Sequence, residues 1–192
     1  MNIYYFISKI YDQNKIVELW SANILSRELK ELSAKKIISQ NKVPMIIHCP
    51  TNRLTKGTAY VDKALETLKR KGLKFNYKSI ENMEKTDLQE FIREKADIVI
   101  DQFLIGGFGN LAIETLALGK ISVGYLNEDL CLQFSKDCPI VNATVDTLEV
   151  ELGKLIEDIN LRNSISIKGP DFIQMKLDEK IIIDKLTSLY GL

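Results

Sequence analysis

Two short stretches hold the residues best able to do chemistry. In Thr51-Asn52-Arg53-Leu54-Thr55-Lys56-Gly57-Thr58, two cations lie three positions apart beside a glycine, ahead of an amphipathic segment. Fixed positive charge next to a helix start and its free backbone N–H groups suits an anion. Each cation within about 4 Å of a phosphate charge gains roughly 4 kcal/mol at an effective dielectric near 20, before desolvation is subtracted. Arg53 and Lys56 read equally well as solvated loop charges, and the stretch is not a Walker P-loop, which sets its lysine after a longer glycine-spaced run.

The second stretch is Gly106-Gly107-Phe108-Gly109, which runs into Asn110 and, further on, Glu114. Glycines let backbone approach a ligand closely, but the GxGxxG spacing of a dinucleotide fingerprint is absent. Glu114 stands among Leu111, Ile113, Leu116 and Ala117, and a carboxylate in such company requires a partner. That partner is an internal cation, water at an open helix end, or a ligand hydroxyl such as a ribose diol. His48, the single histidine, either lines a cleft or bonds to backbone as a structural group. With three cysteines, no CxxC and one histidine, a Cys/His zinc cluster is hard to assemble, and a reduced, cytoplasmic setting is expected, at most peripheral to the inner membrane face.

Composition narrows the classes further. The chain has 192 residues, 45% hydrophobic and 27% charged, enough for one well-packed domain with an appendage and too few for two full α/β domains. Twenty-six basic residues balance twenty-six acidic ones, which disfavours nucleic acid as a partner. The apolar run Ile3 to Ile7 is too short for a signal core or a membrane span.

The elements that must position these residues follow from periodicity. Met45 to His48 lies between Pro44 and Pro50 as a short buried strand, and Tyr60, Val61, Ala64, Leu65 and Leu68 repeat at helical spacing up to Gly72. Leu73 to Ile80 alternates as a strand, Thr86 to Ile92 reads as a helix, and Ala96 to Asp101 is the clearest strand. A helix from Asn110 to Leu118 closes at Gly119. Strands over Ile121 to Leu126 and around Pro139 to Val141 follow, then helices over Thr144 to Ile159 and Asp178 to Tyr190. Strand–helix alternation at this spacing predicts a parallel sheet wrapped by helices, with ligands beyond the carboxyl ends of the strands. That edge carries His48 to Gly57 and Asp101 to Gly109. Residues 1–42 do not share this rhythm and are set apart as an appendage to the domain spanning 43–192.

Taken together, Asn52-Arg53 with Lys56-Gly57-Thr58, then Ala96-Asp97-Ile98-Val99-Ile100-Asp101-Gln102, then Gly109 through Ala112-Ile113-Glu114-Thr115-Leu116-Ala117-Leu118-Gly119-Lys120 resemble the carboxyl-terminal half of retaining GT-B glycosyltransferases of the group 1 type. The resemblance runs from about Val43 to Tyr190. It implies an α/β, Rossmann-like parallel sheet with helices on both faces, and a nucleotide-sugar donor site, commonly for a UDP-sugar, that needs no metal or other cofactor. It further implies that Arg53 and Lys56 hold the diphosphate, that the backbone of Gly107, Phe108, Gly109 and Asn110 lines the same site, and that Glu114 accepts the ribose hydroxyls. Many relatives carry two glutamates separated by seven residues; Glu114 matches the second, whereas Gly106 stands at the first.

A complete enzyme of that family has two such domains, and this chain has room for one. The expectation is a donor half, either a fragment or truncated product of a larger enzyme or a subunit completed by a separate acceptor-binding partner, with transfer by retention; the alternative is a non-catalytic nucleotide-binding or scaffolding subunit. Apolar surface left by the missing half, partly covered by Trp20 and its neighbours, would favour self-association.

Overall fold

The computed structural model describes residues 31, 41–107, 109–128, 130–131, 137–177 and 179–190. The appendage expected over 1–42, Trp20 included, therefore lies outside the described residues apart from Glu31, Asn41 and Lys42. The described chain opens with β1 (Met45–His48), α1 (Arg53–Lys56), α2 (Thr58–Arg70), β2 (Asn76–Ser79), α3 (Lys85–Lys95) and β3 (Ile98–Ile100). It continues with α4 (Asn110–Ala117), β4 (Ile121–Gly124), β5 (Val141–Asn142), α5 (Leu148–Glu157), α6 (Ile159–Ser166), α7 (Lys168–Lys176) and α8 (Glu179–Tyr190).

The strands form a five-stranded sheet in the order β2-β1-β3-β4-β5, every neighbouring pair parallel. Parallel strands are buried on both faces, which is why β1, β3 and β4 read as continuous apolar runs rather than alternating ones. Successive residues of β3 feed opposite layers. Val99 joins Ile47, Ala112, Leu116 and Phe172 on the face covered by α3, α4 and α7. Ile98 and Ile100 join Ile46, Val61, Leu65, Leu148 and Leu152 on the face covered by α2 and α5. β2, at the edge, is mostly exposed.

The expected α/β sheet is present, and several helices differ from the sequence reading. Arg53 to Lys56 form a one-turn helix rather than a loop: Asn52 Oδ1 accepts from the N–H groups of Leu54 and Thr55 at 3.0 and 3.1 Å, and Gly57, at φ +74°, ends the turn in the left-handed region that favours glycine. The helix expected over Thr144 to Ile159 starts later, at Leu148, and stops at Asp158, whose Oδ1 caps α6 through Asn160 and Leu161. Another helix, α7, follows. Gly169 and Pro170 look like breakers, but both sit in its first turn, where a missing N–H is harmless. A Cβ on Gly169 would come within 2.5 Å of the Leu116 carbonyl oxygen, so α7 lies directly against the backbone of α4.

The amino-terminal ends of the strands are closed by buried charge. Asp97, 4% exposed, accepts from the Met45 N–H at 2.8 Å and from Asn41 Nδ2 at 3.2 Å. Arg162, 2% exposed, donates to the carbonyls of Leu155, Ile156 and Asn41 at 2.6, 3.0 and 2.5 Å. Lys120 is buried beside them, and burial pushes its ammonium below the ordinary value, a shift that Asp97 opposes.

Candidate functional site

β1 connects forward to β2 on one side, and the chain then crosses back to lay β3 on the other. The carboxyl ends of β1 and β3 are thus the point where connections diverge, which is where open α/β sheets take their ligands. Of the loops that leave them, one leads from Cys49 to Gly57, the other from Asp101 to Gly109. Order in the sheet, rather than nearness in sequence, brings the two candidate stretches together.

Lys56 joins them. Its ammonium donates to Asp101 Oδ1 at 2.5 Å and to Gln102 Oε1 at 3.1 Å. Its side chain is 12% exposed and that of Asp101 only 2%. The other carboxylate oxygen, Asp101 Oδ2, accepts from the Gly109 N–H at 3.0 Å, and Gln102 Nε2 donates to the Gly107 carbonyl at 2.6 Å. Gly109 belongs here because a Cβ would stand 2.8 Å from Asp101 Oδ2 and 3.3 Å from the Lys56 ammonium. A pair this buried adds little net stability, since desolvation offsets attraction, but losing one partner is costly. Its effect is to fix geometry between the loops.

Arg53 is placed differently. Its guanidinium donates to Glu81 at 2.7 Å and to Asp62 at 3.3 Å, and its side chain is half exposed. The structure puts Arg53 and Lys56 on one short helix, yet engages them with separate carboxylates. Exposed pairs of the Arg53 kind are worth about 0–1 kcal/mol, so an arriving anion can displace them. Glu114, 6% exposed on α4, pairs with an exposed cation of the same chain: Lys85 at the start of α3 lies 3.0 Å from Oε1. Asn110 begins α4, Gly107 and Gly109 flank its approach, and Phe108 lies outside the described residues.

The position matched to the first family glutamate is tight and strained for any side chain. Gly106 has φ +74°, and a Cβ there would meet Tyr125 at 3.2 Å and Asn127 at 3.3 Å. His48 is fully buried, with Nδ1 2.9 Å from the Ile100 carbonyl and Nε2 2.9 Å from Thr58 Oγ1. A carbonyl can only accept, so Nδ1 carries the proton and Nε2 accepts from the threonine. Desolvation by burial holds the imidazole below its ordinary value of 6.5, as a structural group joining β1, β3 and α2. Cys49 is inert for the same reason, its thiol pushed up to about 12. All three cysteines are free thiols. Among the described residues, no group of three or more His, Cys, Asp or Glu is placed to hold a metal ion, and no helix is long and apolar enough to cross a membrane.

Asp101 and Gln102 are the site residues that sequence reasoning passed over. Their signal was two polar residues directly after Ile98-Val99-Ile100, at the ligand-facing end of a buried strand.

No protein-family model and no curated protein matches the sequence. Solved structures do match in fold. A trehalose-6-phosphate synthase, described as transferring glycosyl groups with retention, superposes with TM-score 0.65 at 13% identity, over 91% of this chain and 52% of that one. The C-terminal domain of a glycosyl transferase group 1 family protein from Francisella tularensis gives 0.51 at 18% identity, over 85% of this chain and 100% of that one. S. aureus TarM, in complex with UDP, fondaparinux and alpha-GlcNAc-glycerol, gives 0.61 at 15% identity, over 98% of this chain and 42% of that one. The chain thus spans about half the length of the first and less of the third. The likeness establishes the α/β, Rossmann-like fold found in these glycosyltransferases.

Proposed function

We propose that this chain is the donor-binding domain of a glycosyltransferase that moves a sugar from a nucleoside diphosphate, UDP in the first instance, to an acceptor with retention at the anomeric carbon. An acceptor-binding domain or partner subunit completes it. The observation that carries the proposal is Lys56, an ammonium held against a glycine loop at the switch point of a sheet whose fold matches glycosyltransferases. Arg53 and Lys56 meet the charge that grows on the leaving diphosphate, stabilisation that is greatest in the transition state. Backbone from Gly107 to Asn110 lines the site, and Glu114 exchanges its Lys85 contact for the ribose hydroxyls. A second reading, a nucleotide-binding subunit without catalysis, is favoured by one feature: the position where relatives carry the glutamate that would contact the donor sugar holds Gly106, whose left-handed backbone and close side-chain neighbours disfavour a larger residue.

Calorimetric titration with UDP, GDP and ADP tests the proposal. UDP should bind the wild type, and Arg53→Ala should weaken it by about 10- to 100-fold, the loss of a charge-assisted hydrogen bond worth roughly 1.5–3 kcal/mol. The variant's stability should stay within about 0.5 kcal/mol, because Arg53 is exposed. Absence of binding by any of the three nucleotides would overturn the reading.

A further inference from the structure

We infer that Gln102 is a positioning residue for nucleoside diphosphate binding: it aims the Lys56 ammonium and ties that aim to the glycine loop. The inference rests on the donor-domain reading above and goes beyond it, to a residue that itself need touch no ligand.

An ammonium has three donors and no acceptor. Two of those of Lys56 are taken, by Asp101 Oδ1 and Gln102 Oε1. With two acceptors fixed, the third N–H has one direction left, and the described residues supply no partner for it. A lysine stem alone would leave that direction free, since its rotamer entropy is among the largest of any side chain. Asp101 supplies charge and the first anchor; Gln102 supplies the second, which defines the orientation.

The Gln102 amide is itself fixed by chemistry. Lysine can only donate, so the oxygen must face Lys56; a carbonyl can only accept, so the nitrogen must face Gly107, at 2.6 Å. Gln102 is 7% exposed, and both ends of its amide are used in this way. Lysine direction and loop position are therefore set by one planar group. Its neutrality matters for the test, because replacing it changes no charge near the phosphate.

Gln102→Leu removes both amide contacts at similar size. UDP affinity, measured by calorimetry, should fall about tenfold, the scale of one hydrogen bond to a charged group. The same substitution in a Lys56→Ala background should cost about threefold or less, since the share that acts through Lys56 is then gone and only the Gly107 tether is left to lose. Thermal unfolding of each variant runs alongside, and Gln102→Met repeats the deletion with an unbranched chain should the leucine variant fail to fold. Wild-type affinity in the folded variants would overturn the inference, as would a tenfold loss that persists without Lys56. With wild-type binding present and Arg53→Ala weakened, such a result removes Gln102 alone. If no nucleotide binds the wild type, the donor-domain reading fails and the inference goes with it.

Discussion

Strand β3 has an aspartate at each end, and the two ends use it differently. At the amino end, Asp97 binds the Met45 N–H and Asn41, while Arg162 grips the final carbonyls of α5 and the Asn41 carbonyl. Those partners are mostly backbone of strands and helix ends, groups that cannot shift without undoing the sheet. At the carboxyl end, Asp101 holds Lys56 and Gly109, and beside it Gln102 holds Lys56 and Gly107. Those partners belong to loops and a flexible side chain. Similar ingredients, an acid beside a buried cation, make a foundation at one edge and an adjustable junction at the other.

The largest effect should come from breaking the foundation. Arg162→Ala strips a buried guanidinium from the Leu155, Ile156 and Asn41 carbonyls and leaves Lys120 alone to offset Asp97, so unfolding in urea should show a loss of about 3–5 kcal/mol, chiefly from the orphaned carbonyls. Nucleotide affinity of the fraction still folded should be unchanged, and a weakened affinity would blur the division between the edges.

At the other edge, Gly109→Ala should reverse the balance. A methyl 2.8 Å from Asp101 Oδ2 must push the carboxylate or the loop aside. Overpacking of this kind costs about 1–3 kcal/mol in stability. Affinity for UDP should fall by more than the stability change alone would give, and equal affinity in the alanine variant would show that the loop position is immaterial.

The smallest effect is a slope. His48 is held below its ordinary value of 6.5 by burial, so between its folded and unfolded values the unfolded chain binds more protons. Its contribution is full above about pH 6.5 and is lost as pH falls through that value toward the lower folded one. Urea midpoints measured from pH 8 to pH 5 should decline on the acid side, and His48→Asn, which keeps a donor for the Ile100 carbonyl, should flatten the decline. An unchanged slope would assign it elsewhere.

Much of the sheet could be read before the structure. Ile46-Ile47 and Ile98-Val99-Ile100 are apolar on both faces, and α2 shows its period plainly in Val61, Ala64, Leu65 and Leu68. The carboxyl edge was legible too, because Arg53, Lys56, Gly109 and Glu114 all follow strands. What was hidden depends on distance along the chain. Lys56 and Asp101 meet only because β3 returns to the far side of β1, and neither stretch records its partner. That Arg53 turns to Asp62 and Glu81 has no local signal either. α1 has one turn, too short for a period to register, and α6 and α7 were masked by Asp158, Gly169 and Pro170, which act as caps and first-turn residues there.

Gly169 has a mechanical consequence. Helix α4, which starts beside the glycine loop and carries Glu114, is pressed against α7 with no clearance: Leu116 O, Cα and C would lie 2.5, 3.1 and 3.2 Å from any Cβ added at Gly169. The contact works as a stop behind a sliding rod. It limits how far the front of α4 can stand back from the glycine loop, so the tolerance of the candidate site is machined partly at its rear, where the smallest residue in the alphabet serves as the gauge.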